Sequence, residues 1–257
     1  MHWVLQEDIY KEEGFGVLLT ALERLELSHS LHKVVPFSST LQPEAKFGKD
    51  EPVIVMGTVA MVRIALERGW LPGAYFNRDF TFEVYLRSPW QPHLLNGGGH
   101  VCTFAQVPKQ SEPFFIRPVH DTKTFTGFVA EREEFAEWQR EVFADDHSVL
   151  NGGTCVLVAA PQEIYSEYRV YLVDGKAVTG SLYKRGGQLV TDSRVEDDIF
   201  RFAEQRAADW SPASAFVMDV ARTPGGPRIV EAGCLNAAGY YKSDMAKVVM
   251  ALEELES

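Results

Sequence analysis

The sequence predicts an α/β unit in the first third of the chain followed by an α+β region, and three patterns carry that prediction. In the first hundred residues short apolar runs alternate with stretches whose apolar residues recur at helical spacing. Beyond Phe114 the apolar runs are joined by hairpin signals, among them Asp174-Gly175 and Pro224-Gly225-Gly226. Between these regions, Trp70 to His100 mixes aromatics with prolines and closes on Asn96-Gly97-Gly98-Gly99, which reads as a connection between two layers or lobes. The boundary therefore falls near residue 100, dividing the chain into 1–100 and 101–257.

The elements follow in order. HWVLQ is a strand, and Phe15, Leu18, Leu19, Leu22 and Leu25 then mark a helix. HKVVPF and PVIVMG are strands of a small parallel sheet. Thr58 is a suitable N-cap for a helix carrying Val59, Val62 and Leu66, and Gly69 ends it because glycine enters the left-handed region without a Cβ clash. After the boundary, FFIRPV is a strand and Phe135, Trp138 and Val142 form one helical stripe. TCVLVA, EYRVYLV and KAVTGSLY are strands of an antiparallel sheet. A helix presenting Val195, Ile199 and Phe202 precedes the hairpin SAFVMDVARTPGGPRIVEAGCLN, and a last helix presents Met245, Val248, Val249 and Leu252 after a Ser243 cap.

With 257 residues, 46% of them hydrophobic, the chain can bury proper cores. A net charge of −11 and no long basic run argue against nucleic acid as the main partner. Cys102, Cys155 and Cys234 are far apart and show no zinc or disulfide spacing, so a reducing cytoplasm is the expected compartment. MHWVLQED lacks a leader pattern, and no apolar run approaches the roughly 20 residues of a membrane span. Oligomeric state leaves no mark in the sequence.

The last hairpin carries the most informative anomaly. Asp219 and Glu231 stand symmetrically about Gly225, six residues away on either side, so they should face each other from one side of the sheet. Like charges directly opposite destabilise a hairpin, and a bound cation removes the conflict. Asn236 adds a neutral amide oxygen five residues past Glu231, completing an oxygen-only set of the kind Mg²⁺ prefers. The alternative reading is a solvated hairpin face.

Other segments bear phosphate-type chemistry. FFIRPVHDTKTFTG ends a strand with Arg117 and enters a loop with Lys123, threonines and Gly127, a combination able to wrap polyphosphate, although no Walker A pattern is present. Taken alone it reads equally as a strand-edge cation and a solvated turn. Glu167 and Arg169 share a strand face, where Glu167 can orient Arg169 towards an anion or the two can form a surface ion pair. VLVAAPQE is an apolar strand whose end offers backbone groups to a base, with Gln162 or Glu163 near a ribose. Lys184 and Arg185 suit a phosphate or an acidic substrate, or a solvated strand end. His120 is a weak proton-transfer candidate, Tyr240 and Tyr241 are candidates to shape an acceptor pocket, and Cys234, with no paired histidine, reads as a small core residue.

The order of these segments resembles the nucleotide-binding core of the ATP-grasp superfamily, and more closely the clade with arginine, here Arg117, in place of the first phosphate-binding lysine. The resemblance runs from about residue 100 to 255. It implies a pre-ATP-grasp α/β unit followed by an α+β ATP-grasp fold, whose two lobes with antiparallel sheets enclose an ATP cleft. It also implies ATP and Mg²⁺: Arg117 and Lys123 on phosphates, Val158, Ala159 and Ala160 along adenine, Glu163 at the ribose, and Glu167 and Arg169 facing the nucleotide. Arg169 would meet the reacting phosphoryl, Lys184 would assist, and Asp219, Glu231 and Asn236 would hold the metal. Many members have Glu-x-Asn at the second metal position, whereas this chain has Glu231-Ala232-Gly233, so the amide role passes to Asn236 or is lost. The implied activity is ligation of a small-molecule carboxylate, such as an amino acid or peptide, to an amine. A phosphotransferase and a non-catalytic nucleotide binder are the alternatives.

Overall fold

The computed structural model describes residues 1–9, 16–48, 50–109, 112–119, 124–145 and 147–257. They form two compact units, Met1–Phe80 together with Ile164–Ser257, and Thr81–Glu163. The smaller unit begins within the connection that the sequence places between its two patterns.

In the larger unit, the first sheet contains β1 (His2–Gln6), β2 (His29–Val34), β3 (Leu41–Gln42), β4 (Val53–Met56) and β5 (Pro72–Gly73), in the order β3-β2-β1-β4-β5. All pair in parallel except β3, which pairs antiparallel with β2 at one edge. Trp3, Leu5, Ile54 and Met56 pack into one core with α1 (Gly16–Arg24), while Val4, Val53 and Val55 pack into another with α2 (Val59–Arg68). Burial on both faces explains why Val53 to Met56 is continuously apolar instead of alternating. α2 ends at Gly69 as expected, with φ 65° and its amide donating to the Ala65 and Leu66 carbonyls. Its buried face is Met61, Val62, Ile64 and Ala65, however, and Val59 and Leu66 are exposed. The helix carries two overlapping apolar stripes, and only packing against the sheet selects between them. Thr58 occupies the N-cap without bonding the helix, because its hydroxyl donates to Gln6 Oε1 at 2.8 Å.

The second sheet of this unit comprises β10 (Ser166–Val173), β11 (Lys176–Arg185), β12 (Gln188–Asp192), β13 (Ala215–Thr223) and β14 (Gly226–Cys234). It is wholly antiparallel, in the order β12-β11-β10-β13-β14. α5 (Asp197–Asp209) packs across β10, β11 and β13, with Val195 lying ahead of the helix rather than on it. α6 (Met245–Leu255) joins Tyr171, Val173, Ala215 and Val217 in the core shared with the parallel sheet. Its N-cap is Asp244, whose carboxylate accepts from the Ala246 amide, and not Ser243.

The smaller unit contains an antiparallel sheet of β6 (His100–Thr103), β7 (Phe114–Pro118), β8 (Phe128–Ala130) and β9 (Cys155–Ala159), in the order β6-β9-β7-β8. α4 (Arg132–Ala144) adds Phe135 and Trp138 to a core of Phe104, Phe114, Ile116, Val156 and Val158. A short helix, α3 (Phe82–Arg87), is capped by Thr81. Among the described residues no helix is long and apolar enough to cross a membrane.

Candidate active site

The antiparallel sheet of the larger unit assembles a polar row on an otherwise apolar face. Tyr171, Val173, Ala215 and Val217 are buried in the core, and two residues further along the same strands the face becomes Arg169 and Asp219. Asp219 pairs with Glu231 on β14. The route to that pairing is not the symmetric one. The turn is the two residues Pro224-Gly225, closed by the pair Thr223 and Gly226, and that register continued would put Val230 opposite Asp219. Glu231 would then point to the other face. A β-bulge intervenes: Val220 pairs with Ile229 and Asp219 with Glu231, leaving Val230 as the extra residue. The bulge, rather than the turn, brings the two carboxylates to one face.

Across β10, Arg169 pairs with Asp219. Its Nε and Nη2 donate to Asp219 Oδ1 and Oδ2, both at 2.8 Å, and its Nη1 donates to the Gly239 carbonyl at 3.4 Å. The guanidinium lies over the rings of Tyr241 and Tyr183, 5.2 and 5.8 Å from their centroids, and these rings stack at 5.1 Å. The Tyr171 hydroxyl donates to the same Gly239 carbonyl at 3.0 Å. Burial disfavours the charge on Arg169, but the Asp219 charge and its hydrogen bonds outweigh that cost and hold the guanidinium pKa above its usual value. Glu167, two residues earlier, is 7% exposed and does not orient Arg169. It accepts instead from the Tyr183 hydroxyl and from Lys184 Nζ, each at 2.9 Å. The physical reason is strand alignment, since β11 sets Lys184 opposite Glu167 and β13 sets Asp219 opposite Arg169. Burial, then the charges of Asp219 and Glu167, raise the Tyr183 pKa, so the phenol remains a donor.

Asn236 has a different setting. It is 1% exposed; its Oδ1 accepts from the Tyr75 amide and its Nδ2 donates to the Val55 carbonyl, both at 2.8 Å. Its own carbonyl accepts from the Gly57 amide at 2.9 Å. Both ends of the side-chain amide therefore tie the segment after β14 to the parallel sheet, and reaching a cation would break those bonds. Gly233, two residues past Glu231, is packed so that a Cβ would meet Val217 Cγ2 at 3.2 Å. Cys234 is partly buried, and desolvation pushes its thiol pKa up to about 11, which fits a packing residue rather than a nucleophile.

In the smaller unit, Arg117 is partly buried on β7, with its guanidinium 5.7 Å from the Phe82 ring centroid. Gly127 lies close against it, since a Cβ there would stand 3.0 Å from Arg117 Cβ and 2.8 Å from the Phe115 ring. Lys123 and His120 lie outside the described residues. Val158 is a core residue whose strand neighbours are His100 and Ile116, Ala159 pairs with Phe115, and Ala160 is exposed beyond the strand end. The strand ends at Ala159, so the backbone lies beyond the ladder from Ala160 onwards. Glu163 is exposed at the end of this unit.

Among the described residues no group of three or more His, Cys, Asp and Glu is arranged to hold a metal. What the sheet presents is a pair of carboxylates on one face, an oxygen-only donor set of the kind a hard divalent cation takes, with Asp219 already paired to Arg169.

The fold and this row define a class. Residues 99–251 match the model of an ATP-grasp domain, family 2 of the arginine-for-lysine clade, and the chain belongs to that ATP-grasp family. No curated protein matches it. Solved structures share the fold over the full length at low identity. A RimK domain ATP-grasp protein from Sphaerobacter thermophilus is 13% identical with a TM-score of 0.62, covering 99% of each chain. The ATP-grasp ligase PsnB, complexed with a minimal precursor, Mg and ADP, is 11% identical with a TM-score of 0.59, covering 100% of this chain and 98% of its own. D-alanine–D-alanine ligase from Bacillus anthracis is 11% identical with a TM-score of 0.60, covering 98% of this chain and 92% of its own.

Proposed function

We propose that this protein is an ATP- and Mg²⁺-dependent ligase that joins a carboxylate to an amine or a similar nucleophile and releases ADP and phosphate. The observation that carries the proposal is the row Glu231–Asp219–Arg169, an acid pair backed by a partly buried cation, in a chain of ATP-grasp family membership. The ligase names of two structural neighbours support the reaction class. The family match begins at residue 99, which supports reading 1–100 as a pre-ATP-grasp unit and 101–257 as the nucleotide-binding and catalytic domain.

In this reading Asp219 and Glu231 hold Mg²⁺, which when bound neutralises phosphate oxygens during phosphoryl transfer. Arg117 and Lys123 grip phosphates, the Ala159–Ala160 backbone with Val158 behind it meets adenine, and Glu163 reaches the ribose. Glu167 fixes the Lys184 ammonium, a half-exposed cation available to an anionic substrate or phosphate. Asn236 keeps its bonds to the parallel sheet. The substrate carboxylate attacks the γ-phosphorus and ADP leaves; the amine then attacks the acyl carbon, phosphate leaves, and the amine loses a proton. No protein nucleophile takes part, so positioning and electrostatics supply the catalysis. A small-molecule acid such as an amino acid, or a peptide, is the proposed substrate class, and the compartment is cytoplasmic.

The test is incubation with ATP, Mg²⁺, hydroxylamine and pools of carboxylic acids. Acid-dependent ADP release with hydroxamate formation is expected. ADP release that no acid stimulates, across broad pools, counts against a ligase.

A further inference from the structure

The geometry around Asp219 points to a role for Arg169 that acts through that carboxylate. We infer that Arg169 is a positioning residue that holds Asp219 and keeps the carboxylate pair from taking a divalent cation until nucleotide phosphates arrive; this rests on the proposed metal role of Asp219 and Glu231. Both Asp219 oxygens already accept from the guanidinium at 2.8 Å, and Asp219 itself is only 4% exposed. A cation approaching Asp219 therefore meets a fixed positive charge bonded to the same two atoms. Arg169 offsets the charge of Asp219, which weakens that carboxylate's hold on a bare divalent ion.

The guanidinium has little freedom to withdraw. The Gly239 carbonyl accepts from its third nitrogen, and the stacked rings of Tyr183 and Tyr241 lie against it. Tyr241 adopts a positive φ of 50°, unusual for a bulky residue, to bring its ring there. Tyr183 is fixed in turn by its bond to Glu167. Phosphate oxygens would bring the negative charge that offsets Arg169 and the extra oxygen ligands that two carboxylates lack.

The experiment measures Mn²⁺ binding without nucleotide, by electron paramagnetic resonance and thermal shift, in the full chain. Arg169→Gln should bind Mn²⁺ at least about tenfold more tightly than the wild type, and adding Asp219→Asn should abolish the gain. Arg169→Lys, which keeps the charge, should stay close to the wild type. Equal Mn²⁺ affinity in Arg169→Gln and the wild type overturns the inference. If Arg169→Gln is unfolded without metal, recovery of the wild-type circular dichroism on adding Mn²⁺ supports it, and no recovery overturns it. MgATP binding by the wild type is measured in parallel. Binding of MgATP without an Mn²⁺ gain in Arg169→Gln overturns this inference alone, whereas a wild type that binds no MgATP overturns the ligase reading.

Discussion

Asp219, Glu231 and Arg117 carry separate duties in the proposed site, so their substitutions should separate kinetically. Asp219→Asn and Glu231→Gln should each reduce Mg²⁺-dependent turnover by about 100-fold or more, measured as ADP release; full activity in both would remove the metal reading. Arg117→Gln should instead raise the KM for ATP by about tenfold, the loss of one charge-assisted hydrogen bond, with a smaller effect on kcat. A residue away from the site supplies a pH test. Arg222 donates to both Asp198 oxygens at 2.7 Å and holds the Asp198 carboxyl below its ordinary value, chiefly through these hydrogen bonds. A depressed folded pKa stabilises above the ordinary carboxylate value of about 3.9, and the contribution disappears as pH falls through the folded value. Asp198→Asn should therefore cost at most about 1 kcal/mol at pH 7, because the pair is half exposed and screened, and nothing in strong acid, as read by urea denaturation.

At the scale of elements, the start of α6 and the β13–β14 hairpin show where local sequence stops being decisive. Ser243 and Asp244 are both good capping residues, and which of them caps depends on where the chain turns into the helix. Asp244→Ala should lower stability by about 1 kcal/mol and Ser243→Ala by clearly less, compared by thermal unfolding. In the hairpin, Gly226 has φ 94° with open space around it, so Gly226→Ala should cost about 1 kcal/mol from backbone strain alone. The two acids and the Pro-Gly turn between them were legible, since they are local, although the turn register by itself sets Val230 opposite Asp219. The bulge at Val230 was not, because it depends on how β14 is held along its whole length. The α2 stripe shows the same limit, as Val59, Val62 and Leu66 are as periodic as Met61, Ile64 and Ala65, and of the first three the sheet buries Val62 alone.

For the whole molecule, ATP with Mg²⁺ should stabilise the folded chain by about 2.7 kcal/mol at a ligand concentration 100 times Kd, seen as a rise in Tm that Asp219→Asn diminishes. The main apolar strands and helices and the family resemblance were determined by the sequence alone, because hydrophobic periodicity, hairpin residues and motif order are properties of the chain read along its length; sheet membership was not, since Cys155–Ala159 pairs with β6 and β7 instead of joining the sheet of β10 and β11. The partners of each site residue were decided only by tertiary structure. Arg169 meets Asp219 from fifty residues away, Glu167 meets Lys184 and Tyr183, and Asn236 bonds to Val55 and Tyr75 across more than 160 residues. Hydrogen bonds and ion pairs act over about 3 Å, and only sheet register and packing bring such distant groups within that reach.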